Sequence, residues 1–135
     1  MTRRSPVVVR AGLRRRSEGP AERTAIDGLS ARAERELRAY ERAARRPGAI
    51  AAALAGWRHT VHLPVKELLD EMHSALPCCD PFEHRDELAS ALAALHARTG
   101  RELRARLDPL DAVLERRTRH DPATPGHLPW WRRRG

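Results

Sequence analysis

Between residues 26 and 44 the apolar side chains recur at Ile26, Leu29, Ala33, Leu37, Tyr40 and Ala44, with Arg and Glu filling the positions between. Steps of three and four residues place these six on one face of an α-helix. Pro20 suits a first helical position and Glu22 a first turn, and "RRPG" at 45–48 is a stop signal. The predicted helix therefore covers 20–46. A short Ala-rich segment, "GAIAAALAGW" (48–57), predicts a second helix whose small side chains admit close approach by a neighbour. Pro64 opens a third over 63–76, with Val65, Leu68, Leu69, Met72 and Leu76 on its stripe. Asp80-Pro81-Phe82-Glu83 combines an acidic N-cap, a proline at the first helical position and a glutamate at the third. It opens a fourth helix over 81–107, with Phe82, Leu88, Leu92, Leu95, Thr99, Leu103 and Leu107 in line. Gly100 lies inside it and costs about 1 kcal/mol relative to Ala. Asp108-Pro109 repeats the cap-then-proline signal, so a kink or a new helix begins there and runs to about residue 118.

The fold class that follows is all-α: an antiparallel helical bundle with two long helices and two or three short ones, flanked by irregular basic tails. Each long helix, at about 27 residues, would span roughly 40 Å. The expected organisation is a flexible basic arm over 1–19, a helical domain over 20–118 and an irregular Pro/Trp/Arg tail over 119–135. Val7, Val8 and Val9 have strand character but no second strand to pair with. No internal repeat is visible.

Composition narrows the picture. The 135 residues are 41% hydrophobic but only 4% aromatic, so the core is thin and built of Leu and Ala. A small domain of this kind gains stability from a partner or from self-association. The net charge of +8 is unevenly placed. Residues 1–16 hold six arginines and no acid, 116–135 hold six arginines and Asp121, and the stretch between has a balance of −3. Basic arms on a mildly acidic body specify a nucleic-acid platform poorly. Of the 26 cationic residues, Lys66 is the one lysine, and the Arg and Ala usage fits a GC-rich bacterial genome. Two cysteines and no secretory h-region predict a reduced, cytoplasmic setting. No window approaches the ~20 apolar residues of a membrane span.

Candidate chemistry concentrates in "LPCCDPFEH" (76–84). His73, Cys78, Cys79 and His84 form the pattern H-x4-CC-x4-H. Structural zinc sites prefer cysteines about two to four residues apart, and adjacent cysteine side chains diverge. The helix-capping role accounts for Asp80 and Glu83 without a metal, so this stretch is read as a helix boundary. Asp70-x-x-His73 and His84-x-x-Glu87 resemble di-iron spacing only loosely, because the second pair is reversed and the first uses Asp. His59 and His62 read as surface residues. There is no nucleophile elbow and no glycine-rich phosphate loop. The acids of "PFEHRDE" sit where a recognition helix would carry base-reading side chains. No catalytic residue, metal or cofactor is assigned.

The other unusual feature is "HLPWWRRRG". Trp130, Trp131, Arg132, Arg133 and Arg134 match the commonest hot-spot residues of protein interfaces. They are expected to dock, on the chain's own body or on a partner, in preference to stacking on bases. The leading expectation is thus a non-enzymatic interaction module or accessory subunit. It would bind a protein partner or itself through helix stripes (Ile26, Leu29, Leu37, Tyr40) and the Trp-Arg tail. The alternative is sequence-tolerant nucleic-acid binding through the arms, with Arg3, Arg4, Arg14, Arg15 and Arg16 on phosphates. A third reading is a metal-dependent enzyme using the His, Cys and carboxylate set.

Overall fold

Ser30 has extended backbone geometry, and its Oγ accepts a hydrogen bond from the Ala33 amide at 3.2 Å. It is the N-cap of the first helix described by the computed structural model, which covers residues 26–73 and 80–135. Helix α1 runs Ala31–Ala43. This corrects the predicted start at Pro20 within the described part: Gly28, at φ +82°, interrupts any helix just before the serine cap. Ile26 and Leu29 therefore belong to the lead-in, while residues 20–25 lie outside the described residues.

Arg45 and Gly48, both at positive φ, turn the chain into α2 (Ala49–Val61), one turn longer than the Ala-rich stretch implied. Helix α3 (Val65–His73) follows Pro64 as expected. Beyond it lie α4 (Glu83–Ala94) and α5 (Ala97–Arg117). The expected long helix over 81–107 is thus two helices. The break falls at Leu95, whose ψ of 152° is extended. The expected boundary at Asp108-Pro109 is absent, since Pro109 lies inside α5. Its ring removes one helical hydrogen bond, the one to Ala105, and both residues face solvent, where water can take the freed carbonyl. Among the described helices only α5, at 21 residues, is long.

The described residues are all-α, apart from an isolated antiparallel bridge between His120 and Arg134. Helix α2 is the hub. It packs on α4 and α5, and α1 packs on α5 and α2. Its Ile50, Trp57 and Val61 are fully buried, and Trp57 meets Phe82 at 5.8 Å. An Ala-rich helix can hold this place because small side chains let its neighbours come close. The stripe of α5, Leu103, Leu107, Leu110 and Leu114, is also buried.

The helix ends are tied across the fold. The amide and hydroxyl of Ser30 donate to the two carboxylate oxygens of Glu102, each at 2.9 Å. Reciprocally, Glu36 accepts from the amide of His96, the residue that caps α5, at 2.6 Å, and from the Thr99 hydroxyl. Pairing 30 with 102 and 36 with 96 makes the two N-terminal halves antiparallel, each lending a carboxylate to the other's positive end. Helix α2 has no side-chain cap of its own and no acid in its first turn. The Glu41 carboxylate of α1 lies beside that end, where the Gly48 and Ala49 amides favour its ionised form. At the far end Arg117 donates to the Val61 and Leu63 carbonyls.

The tail over 119–135, expected to be irregular, closes on itself. Arg119 and Gly135 exchange backbone hydrogen bonds of 3.0 and 2.8 Å, and the Asp121 amide donates to Arg133 at 2.7 Å. Trp130–Arg132 form a short 3-10 turn between these ends.

Candidate interaction surface

That turn seats the two tryptophans against α4. Trp131 is buried, its Nε1 donates to Asp86 at 2.8 Å, and Trp130 meets it edge-on at 5.9 Å. Arg132 donates from Nε to the Asp86 carboxylate at 3.0 Å and from Nη2 to Asp80 at 2.7 Å. These hydrogen bonds, Asp86 first, raise the Arg132 guanidinium above its ordinary value against the opposing effect of burial. Arg134 donates to the Thr118 hydroxyl at 2.9 Å and to the Glu115 carbonyl at 3.0 Å, and Arg133 approaches His120 at 3.5 Å. Beneath the tail, the Arg85 guanidinium lies 3.9 Å from the centre of the Trp131 ring. It also grips Asp111 at 3.0 and 3.1 Å, and Asp111 accepts from Trp57 Nε1 at 3.0 Å. One buried polar cluster therefore joins α2, α4, α5 and the tail. The five tail residues expected at an interface are brought together, and they dock on the chain's own body.

The first helix stripe divides. Ala33 and Leu37 are buried and Tyr40 is half-buried against the core, while Ala44 is exposed. Ile26, Leu29 and Leu37 form one wall of an apolar groove of about 240 Å³, with Pro47, Gly48 and Ala51 opposite. Glu34, Glu41, Arg38 and Arg42 supply its charged lining. Burial pushes the Glu41 carboxyl above its usual range, and the Gly48 and Ala49 amides partly offset this by favouring the ionised form. Glu36 and Glu102 go the other way. Their hydrogen bonds, to Thr99 and His96 for Glu36 and to Ser30 for Glu102, hold both carboxyls below the usual range.

The opening chemistry resolves only in part. Cys78 and Cys79 lie outside the described residues, as do Arg3, Arg4, Arg14, Arg15 and Arg16; His73 ends α3. His84 lies flat against Gly56 of α2, so close that a Cβ there would come within 2.4 Å of its Nε2. His59, Glu67, Glu71, Glu83 and Glu87 share a cleft with it. Among the described residues, no group of three or more His, Cys, Asp or Glu is placed to hold a metal. No described helix is long and apolar enough to cross a membrane.

Sequence reasoning missed Glu36, Glu41, Glu102, Arg85 and Asp111. Their partners are mostly distant in sequence, and no local spacing announces them. No protein-family model matches the chain, and neither a curated protein nor a solved structure shows significant similarity to it.

Proposed function

We propose that this chain is a non-enzymatic helical binding module that engages a partner protein through the groove beside α1. One observation carries the reading: Ile26 and Leu29, packed on one side against the core, stay half-exposed on the wall of an open apolar groove. The α5 stripe is core, and the tail tryptophans pack on α4. A groove of about 240 Å³ is smaller than the ~300–1,000 Å³ of small-molecule sites, and better matches one or two anchoring side chains.

The test is a photocrosslinking residue at Ala51, which lines the groove, compared with one at Glu115, which is exposed on α5. In cells of the source organism, the Ala51 probe is expected to label one protein species, with the signal lost in Leu29→Glu. Labelling that is equal from both positions, or unchanged by Leu29→Glu, would sink the reading.

A further inference from the structure

We infer that the groove's partner is an acidic amphipathic segment of another protein, with its apolar side chain between Ile26, Leu29 and Leu37 and its carboxylates on the ridge Arg35–Arg38–Arg42. This rests on the groove reading above and adds the chemistry of the occupant.

The three arginines follow at steps of three and four, so they stand in one row on α1, roughly 10 Å from first to last. All three are exposed, and no salt bridge joins any of them to a carboxylate among the described residues. Arg46, the next arginine towards α4, is already paired with Glu87 at 2.8 Å.

The acids that would normally neutralise such a ridge are partly committed elsewhere. Glu41 is three residues from Arg38 and four from Arg45, the spacings of helical ion pairs. Its carboxylate is shared between Arg38 and the Gly48 and Ala49 amides at the start of α2, and Glu36 caps α5. Glu34 and the partly committed Glu41 are the acids of α1 beside Arg38 and Arg42, and Arg35 extends the row beyond the groove lining. The −3 balance of the middle of the chain therefore does not describe this face. A guanidinium row matches carboxylates in charge and in fork geometry.

A nucleic acid would also answer the charge, but not the groove. Sequence-tolerant binding of single strands relies on aromatic platforms for the bases. This groove is lined by aliphatic side chains, Pro47, Gly48 and four charged residues, with no aromatic ring among them. A strand held by phosphates alone would leave it empty.

The experiment uses the full chain and three fluorescently labelled probes, read by anisotropy. One is a helical peptide with leucines on one face and glutamates elsewhere. The second has glutamine for every glutamate, and the third is a short single-stranded oligonucleotide. The acidic peptide is expected to bind about tenfold more tightly than the glutamine peptide, or about 1.4 kcal/mol. The triple variant Arg35→Gln, Arg38→Gln, Arg42→Gln is expected to erase that difference. Leu29→Glu, with an unchanged circular dichroism spectrum, is expected to abolish binding of both peptides. Equal binding of the two peptides would overturn the inference and leave the groove reading standing. Failure of both peptides would remove the groove reading as well. Tighter binding of the oligonucleotide, insensitive to Leu29→Glu, would assign the arginines to phosphates and overturn the inference.

Discussion

Asp111 shows how much can depend on one carboxylate. It accepts from Trp57 of α2 and from both arms of Arg85 of α4, all in the interior. A buried ion pair adds little net stability compared with a well-packed apolar substitute, but removing one member strands the other. Asp111→Ala is therefore expected to cost about 3–5 kcal/mol in urea unfolding. A loss below about 1 kcal/mol would mean that water reaches Arg85 readily. The carboxylates at the α1–α5 contact behave differently because they are exposed. Glu36 and Glu102 have folded values below the ordinary 4.5. Their contribution is present above the unfolded value and lost as pH falls through the lower, folded one. Glu36→Gln with Glu102→Gln should flatten the acid limb of the stability curve below about pH 4.5. An acid limb as steep as the parent's would show that the lost protons belong to other groups. Neither role was legible in the chain: Glu36 and Glu102 read as polar positions on amphipathic helices, and Asp111 as a polar residue just inside a new helix.

At the scale of elements, strong periodicity told the truth and local punctuation misled. The stripes through Leu37, Leu68, Leu88 and Leu103 identified helices that exist. Pro64 marked a true start. Pro20 lies outside the described residues, and Asp108-Pro109, expected to mark a kink or a new start, lies inside α5; the described α1 begins after Ser30, and the break between α4 and α5 falls at Leu95. The decisive cues came from outside the segments. Glu36, about 60 residues away in sequence, satisfies the N-terminus of α5 and so makes a start at Ala97 affordable. Pro109 is carried because the tertiary packing of Leu103, Leu107, Leu110 and Leu114 holds the helix across it. Its cost should still be measurable. Pro109→Ala restores the missing amide donor and is expected to raise stability by about 1–3 kcal/mol, the larger figure being the full interior penalty of proline. No gain in the thermal midpoint would mean that the reduced chain entropy of proline in the unfolded state offsets the lost hydrogen bond.

At the scale of the molecule, charge and aromatic surface have been sorted. Glu36 and Glu102 satisfy helix starts, Asp111 holds Arg85, and Asp80 and Asp86 hold the tail. The outward face of α1 keeps its arginines. Four of the five aromatic residues form two pairs, Trp57 with Phe82 in the core and Trp130 with Trp131 in the clasp on α4, and Tyr40 packs against the core from α1. The sequence pointed to the tail as a docking element but could not say on what, because Asp86 and Arg85 lie about 45 residues upstream. The groove was half-visible in advance. Ile26, Leu29 and Leu37 stood out as a stripe, whereas their opposite wall, Pro47, Gly48 and Ala51, is supplied by a turn and a neighbouring helix. On the proposed reading the tail serves stability and the groove serves binding. The most direct test compares Leu29→Glu with the pair Trp130→Ala, Trp131→Ala, measuring the thermal midpoint and anisotropy with the acidic peptide on the same samples, below either midpoint. The account predicts that Leu29→Glu loses binding with a nearly unchanged midpoint. It predicts that the tryptophan pair costs several kcal/mol, as large-to-small changes at buried sites do, and that what stays folded still binds. Unchanged stability with lost binding in the tryptophan pair would contradict it and make the tail the binding surface.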